Sequence, residues 1–256
     1  MEHTDHVVDQ FTRQARQFAQ SPTAKSEDIL ERILRLAAPH PSDEALDVAC
    51  GPGTLACALA PHVRHATGID LTPAMLDQAR RTQQEQGIAN VFWLHGDVTD
   101  LPWPNASFDI VTCRFAFHHF PEPLTVLRQM RRVCRPGGRV LVADSCPASG
   151  KAAAFNAMEK MRDPSHTRAL PEQDMRALFR DAGLPDPQVE RTRLALSLDE
   201  FLGRSYPREG DEARIRQMFE RALHDDSMDV QPRQEAGQIL FSVPVAVFAA
   251  QVPHGV

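Results

Sequence analysis

Three carboxylates and two glycines stand out in the first hundred residues of this 256-residue chain: Asp47, Asp70 and Asp97, with Gly51 and Gly53. The run Asp47-Val-Ala-Cys-Gly51-Pro-Gly53-Thr54 reads as a buried strand entering a glycine turn and then a helix. Without a Cβ, glycine lets the main chain approach a ligand at the C-terminal edge of a sheet. A βα turn that merely needs glycine is the plainer reading of the same run. Asp70 ends a second apolar run, Gly68-Ile-Asp70. A carboxylate there, roughly 20 residues on, accepts both hydroxyl hydrogens of a ribose. The alternative is capping, with Asp70 or Thr72 starting the next helix and Pro73 in its first turn. Gly96-Asp97-Val98 ends a third run. Asp97 suits an exocyclic amine such as adenine offers, with Val98 packed on the ring; alone it reads as a turn residue. The three acids together point to a nucleoside.

A second group could move protons. Arg114, His118 and His119 share the stretch Cys113-Arg-Phe-Ala-Phe-His-His-Phe120. A histidine near neutral pKa takes a proton from a phenol, an enol or an amine. Both imidazoles could instead pack beside a helix opening at Pro121-Glu122. Asp163, His166 and Arg168 lie in Met161-Arg-Asp-Pro-Ser-His-Thr-Arg168. That cluster suits an anionic substrate such as a carboxylate, or forms a surface turn. Phe11 and Phe18 share one face of a helix and, with Tyr206, are placed to close over a pocket. The first two are otherwise the apolar side of a docked helix. No metal site is expected of His118, His119, Asp163 and His166, because nothing in their spacing imposes a ligand geometry.

The elements that must position these residues follow from periodicity. Residues 26–38 have an amphipathic helical period, with Ser26 as N-cap and Pro39 and Pro41 closing the helix. Short apolar runs at 45–50, 66–70, 91–95, 108–113 and 139–144 then alternate with helical stretches near 54–61, 73–87 and 122–135. That rhythm predicts parallel βαβ units with right-handed crossovers. Pro136-Gly137-Gly138 reads as a sharp turn before the fifth strand. Helices are expected at 151–163 and 171–182, the second ended by Gly183, then a strand at 189–196. Residues 198–225 read as helical with a break at Tyr206-Pro207. A last strand spans 239–250, where Pro244 calls for a bulge or an accessible edge.

Taken together, Leu46-Asp-Val-Ala-Cys-Gly-Pro-Gly53, Gly68-Ile-Asp-Leu-Thr-Pro-Ala-Met75, Gly96-Asp-Val-Thr-Asp-Leu-Pro102, Ser107-Phe-Asp-Ile-Val-Thr-Cys113 and Leu127-Arg-Gln-Met-Arg-Arg-Val-Cys-Arg-Pro-Gly-Gly138 resemble the class I S-adenosylmethionine-dependent methyltransferases. The likeness is to the ubiquinone/menaquinone-methyltransferase branch (methyltransferase type 11-like) and covers residues 40–146. One departure is Ala49, where the family often has glycine. The resemblance implies a Rossmann-like, doubly wound α/β fold: a mostly parallel seven-stranded sheet with an antiparallel last strand and a helical cap insertion. It implies S-adenosyl-L-methionine bound by Asp47, Ala49, Gly51, Gly53, Asp70, Leu71, Asp97, Val98 and Arg114, with Asp47 helping to place the charged amino-acid end. The loop holding Arg114, His118 and His119 then faces the methyl group. The segment with Asp163, His166 and Arg168 lids the acceptor. Residues 1–40 form an N-terminal helical lid, 41–146 the cofactor-binding core, and 147–256 the C-terminal half of the core with its cap and substrate segments.

Composition narrows the partners. Net charge is −6, with 42% hydrophobic and 24% charged residues, which disfavours a phosphate-backbone binder. Arg131, Arg132 and Arg135 read as a solvated helix face. No apolar run reaches membrane-span length, and the polar start, Met1-Glu-His-Thr-Asp-His, is not a signal peptide. Cys50, Cys57, Cys113, Cys134 and Cys146 form no C-x-x-C pair and read as free thiols in a reducing cytoplasm. The expectation is a cytoplasmic monomer or homodimer acting on a small molecule, with no nucleic acid or membrane partner. Methyl transfer leads. Cyclisation or elimination of the cofactor's aminobutyryl arm, releasing methylthioadenosine, is the alternative, and a non-catalytic cofactor sensor a further one. A nicotinamide dehydrogenase is disfavoured by the missing G-x-G-x-x-G spacing.

Overall fold

The computed structural model describes residues 3–24, 26–204 and 206–254. Helices α1 (His3–Ala19) and α2 (Glu27–Ala37) precede the sheet. Five strands and three helices follow: β1 (Glu44–Val48), α3 (Thr54–Leu59), β2 (His65–Asp70), α4 (Pro73–Glu85), β3 (Val91–His95), β4 (Phe108–Arg114), α5 (Pro123–Val133) and β5 (Cys134–Ser145). The C-terminal part adds α6 (Ala152–Arg162), α7 (Glu172–Asp181), β6 (Gln188–Ser197), α8 (Leu198–Gly203), α9 (Asp211–Asp225), β7 (Arg233–Glu235) and β8 (Gln238–Gln251). The strand order is β3-β2-β1-β4-β5-β8-β6, with β7 added to β8. Strands β1 to β5 pair in parallel, and β8 runs antiparallel between β5 and β6.

The central strands are buried on both faces, as a parallel sheet between helix layers requires. Alternate residues feed opposite cores. Ala45, Leu141, Ala143, Val245 and Val247 pack with Ile29 and Ile33 of α2, Leu55 and Leu59 of α3, and Phe155 of α6. Leu46, Val48, Val140, Val142 and Phe248 pack with Leu127 and Met130 of α5 and Phe179 of α7. A one-residue slip of any of these strands would exchange the two cores.

Four details differ from expectation. The sheet has eight strands, because Ala236 and Gly237, both at positive φ, close a two-residue hairpin between β7 and β8. Alanine is an unusual residue for such a turn, which is why no Asn-Gly signal announced it. Pro136-Gly137-Gly138 lies inside β5, bulged out where the β4 register jumps from Phe108↔Cys134 to Ile110↔Arg139. Pro244 lies within β8 between two neighbours. Its carbonyl accepts from Cys146 N at 2.9 Å. In an antiparallel strand the N and O of one residue point the same way, so the missing N–H faces the end of β5 and costs the β6 ladder nothing. Ser26 sits at the N-cap of α2 but makes no side-chain cap bond.

Arg132 and Arg135 also depart from a solvated face. Arg132 donates to the carbonyls of Leu101 and Trp103, both at 2.7 Å, and Arg135 pairs with Asp109. They staple α5 and the start of β5 to the loop before β4. The five cysteines are free; Cys146 is partly exposed and the others are buried.

Gly53 illustrates how tightly the glycine turn is held. Its φ is 77°, and an added Cβ would sit 2.8 Å from Ala79 Cβ and clash with the Trp93 ring. Gly53→Ala is therefore expected to destabilise the fold by about 2–4 kcal/mol, from left-handed strain plus overpacking. Urea unfolding measures it, as a lowered midpoint at unchanged slope.

Candidate active site

The strand order reverses between β1 and β4, and the crevice outside the C-terminal ends of those strands is where open α/β sheets bind ligands. A cleft opens there, lined by Asp47, Ala49, Gly51, Asp70, Leu71, Asp97, Val98 and Arg114. Its empty space, mouth included, is about 1090 Å³. Eight of the nine residues expected to hold a nucleoside cofactor therefore converge. Gly53 is the exception: it does not line the cleft, and packing against Trp93 and Ala79 accounts for it.

Asp47, Asp70 and Arg114 are charges this cleft holds largely out of solvent, and the first and last are opposite in sign. The hydroxyl of Thr112 donates to Asp47 Oδ1 at 2.9 Å from the register-paired position on β4. Burial pushes the Asp47 carboxyl up to about 7, against the pull of the Thr112 hydroxyl and the Arg114 charge. Burial likewise lowers Arg114 to about 10, with Asp47 opposing. The Arg114 guanidinium donates to the carbonyls of Thr23 at 3.3 Å and Ala24 at 3.0 Å. It thus ties the segment after α1 to the end of β4.

Asp70 bridges two turns at the edge of the cleft. Its Oδ1 accepts from Thr72 N and its Oδ2 from Gly51 N, each at 2.8 Å. The carboxylate braces the glycine turn and the start of α4, and each oxygen keeps a lone pair for a ligand. Asp97 is exposed, with Oδ1 accepting from Thr99 N at 2.8 Å. Two non-glycine residues of the site adopt left-handed backbone: Ala49 at φ 53° and Phe115 at φ 54°. Such conformations cost about 1–3 kcal/mol each and cluster at functional sites. Ala49 accordingly occupies the glycine position of the resemblance in a glycine-like conformation.

A second cavity adjoins the cleft. Phe11, Phe18, Phe115 and His119 line both. Phe11 stands edge-on to His119 with centroids 4.9 Å apart, and Phe11 and Phe18 contact at 6.2 Å. His118, Asp163 and His166 line the second cavity. Two expected members do not. Arg168 is exposed and pairs with Asp174, because its main chain is held by His118 O while its side chain turns outward. Tyr206 is 40% exposed and lines neither cavity; it lies in the break between α8 and α9, on the outside of the cap.

The three histidines differ in environment. His118 Nδ1 lies 2.5 Å from Asp144 Oδ1, and Asp144 Oδ2 accepts from His118 N at 3.1 Å. Burial alone would lower the His118 pKa; the Asp144 carboxylate outweighs it and raises the value above the ordinary one. With Nδ1–H given to Asp144, Nε2 is the acceptor, and it carries no hydrogen bond among the described residues. His119 donates Nδ1–H to Ser165 O at 3.2 Å; burial and the neighbouring His118 charge push its pKa down. His166 Nε2 lies 2.7 Å from Asn156 Oδ1. That oxygen also accepts from Ala169 N, which fixes Nε2 as donor and leaves Nδ1 buried without a partner. Burial holds this ring neutral. Among the described residues no group of three or more His, Cys, Asp or Glu could hold a metal ion.

Sequence reasoning missed Thr112, Asp144, Glu159 and Arg162. Asp144 had a usable signal: Val140-Leu-Val-Ala-Asp144 ends a strand in an acid, as the runs to Asp47 and Asp70 do. Glu159 and Arg162 lie on α6, whose inward face depends on packing.

Asp144→Asn is expected to lower the His118 pKa below about 6.5, read by NMR titration of the imidazole. The raised folded pKa contributes stability that is complete below about pH 6.5 and lost as pH rises through the folded value. The variant should therefore be less stable than wild type by about 1.5–3 kcal/mol at pH 6, with the gap narrowing above the folded pKa. An unchanged His118 titration would contradict the pairing.

Residues 46–142 match a family model described as a methyltransferase domain. An uncharacterized methyltransferase of Bacillus subtilis, YcgJ, is 30% identical over 196 residues, covering 76% of this chain and 78% of the relative. Its crystal structure superposes with a TM-score of 0.81 at 28% identity, over 88% of this chain and 98% of that one. The demethylmenaquinone methyltransferase of Geobacillus kaustophilus is 31% identical over 183 residues, 62% of this chain and 78% of the relative. A geranyl diphosphate C-methyltransferase from Streptomyces coelicolor, solved with S-adenosyl-L-homocysteine, shares the fold at TM-score 0.63 and 16% identity, over 89% of this chain and 79% of that one. By its strand order, its matched domain and its 30% identical relative, the chain belongs to the class I methyltransferases.

Proposed function

We propose that this methyltransferase uses S-adenosyl-L-methionine to methylate a small-molecule nucleophile seated beside His118. The observation that carries this reading is the joining of two cavities across a shared wall. One has the acids suited to a nucleoside, and the other has a buried imidazole–carboxylate pair. The donor set fits the cofactor. Asp70 has a spare lone pair on each oxygen for the ribose hydroxyls, Asp97 has Oδ2 for the adenine amine, and Val98 and Leu71 flank the ring. Asp47 and Arg114 offer opposite charge to the ammonium and carboxylate of the amino-acid end, beside the Gly51 turn and Ala49. When bound, the sulfonium supplies an electrophilic methyl carbon.

The chain's own contribution is orientation and proton handling. His118 takes the acceptor's proton on Nε2, while Asp144 holds Nδ1–H and stabilises the resulting imidazolium. His119, tied to Ser165 and Phe11, acts as wall between the cavities. Residues 1–40 serve as lid through Phe11 and Phe18, residues 41–146 hold the cofactor, and residues 147–256 supply the cap with Asp163 and His166. Five free thiols and net charge −6 favour a cytoplasmic enzyme with a small acceptor over one acting on nucleic acid. No helix among the described residues is long and apolar enough to cross a membrane.

Purified protein incubated with S-adenosylmethionine and a panel of phenols, amines and carboxylic acids, read by mass spectrometry, tests the reaction. S-adenosylhomocysteine together with one added CH₂ on an acceptor is expected. Acceptor-independent methylthioadenosine would overturn methyl transfer while leaving the cofactor site intact. On the accepted substrate, His118→Ala is expected to lower kcat about 100-fold or more with cofactor affinity unchanged by calorimetry; full activity would remove His118 as base.

A further inference from the structure

The acceptor cavity contains more charge than the His118–Asp144 pair, and most of it is already matched. Glu159 is 5% exposed and accepts from Arg162 Nε at 2.8 Å, with Arg162 Nη2 on the same oxygen at 2.7 Å. Arg162 also lies over the Phe201 ring, 4.5 Å from its centroid. Asp163 is 2% exposed and its Oδ1 accepts from Ser165 N at 2.9 Å and Ser165 Oγ at 2.6 Å. Both acids therefore have partners inside the wall.

Arg204 is different. It closes α8 and lines the same cavity, half-buried. Its Nε donates to Glu200 O at 2.9 Å, the usual bond of an arginine at a helix end. Among the described residues no carboxylate lies within ion-pair distance of it, and no bond is made by its two terminal nitrogens. Burial lowers its pKa, with the Arg162 charge adding to the shift and the more distant Glu200 carboxylate opposing it. A guanidinium beside a second cation and partly out of water is only incompletely compensated without a counter-charge at ion-pair distance. Its free face is a planar fork of N–H donors, shaped for two oxygens of one oxyanion. Phe11, Phe18, Phe115, Phe155, Leu194 and Leu196 give the cavity its apolar part, beside neutral polar groups such as Ser21, Thr23 and Ser145.

We infer that Arg204 determines acceptor specificity by binding an oxyanion, a carboxylate or phosphate ester, carried on the apolar body of the acceptor. The inference rests on the second cavity being the acceptor site of the proposed methyl transfer. The sequence-based expectation of an anionic substrate is thereby moved from Arg168, which faces solvent, to a residue on α8. The Arg162–Glu159 pair completes the pocket as a fixed neutral wall, and Phe201 links the two arginines' helices.

Matched pairs test it: 4-hydroxybenzoate against its methyl ester, and phenyl phosphate against phenol, titrated calorimetrically into the full chain with and without S-adenosylhomocysteine. The oxyanion of at least one pair should bind about 10-fold or more tightly than its neutral twin. Arg204→Gln should abolish that preference without changing the neutral twin, and Arg204→Lys should keep part of it. The pair that discriminates tells carboxylate from phosphate. Equal or absent binding in both pairs, or a preference that survives Arg204→Gln in a folded variant, overturns the inference. Binding of S-adenosylhomocysteine is read in the same titrations, so a failed cofactor site and a failed oxyanion site give different results.

Discussion

The burial of Asp47 and Arg114 at the reversal point of the sheet is the constraint on which the rest of the site depends. Parallel pairing of β1 and β4 sets Asp47 opposite Thr112, whose hydroxyl donates to the carboxylate. Two residues on, the same strand delivers Arg114 into the crevice. Each charge is expensive in a dry interior and is tolerated because the other is near. The proposed zwitterionic ligand end would complement both. The carbonyls of Thr23 and Ala24 each accept from one terminal nitrogen of Arg114, so the N-terminal segment is tied to a charge that belongs to the sheet.

That coupling explains why the N-terminal segment and the two cavities form one arrangement. Phe11 reaches from α1 to His119, which lies between the two cavities. Phe115 adopts a left-handed backbone at the same boundary, and Ala49 does so beside Gly51. Both bend the chain away from the sheet edge just where a ligand must approach. The Phe115 bend is held by Phe115 N donating to Ala143 O at 2.8 Å. Strain in the turns is thus compensated by the strands they leave.

Electrostatics then separate three neighbouring imidazoles by their partners. A carboxylate on Nδ1 makes His118 the basic one, whereas burial, with the neighbouring His118 charge, keeps His119 and His166 neutral. Their rings are close, 4.2 Å between His118 and His119 and 5.4 Å between His118 and His166. A positive charge on one therefore suppresses the others. Having one protonatable member beside two neutral ones keeps the pocket's charge defined, which matters when Arg204 already contributes a cation on the cap side.

Local rules carried the reading from residue 44 to residue 145. The strands there are short apolar runs, three of them ended by glycine or an acid, and most of the helices between them are amphipathic, so element order, parallel pairing and the acids near the strand ends were legible from the sequence. Asp47, Asp70 and Asp97 converge because consecutive parallel strands put their C-terminal ends on one edge. Less was visible where partners come from distant segments. Whether Gly53 touches ligand or Trp93, whether Arg168 or Arg204 enters the cavity, and which histidine meets a carboxylate are decided by packing between elements far apart in the chain. The β7 hairpin and the placement of Pro244 belong to the same class, since hydrogen-bond direction across a sheet is a property of the neighbours and not of the strand itself. Sequence determined which residues are able to do chemistry; the tertiary fold decided which of them share a cavity, because side-chain environment depends on contacts that local periodicity does not encode.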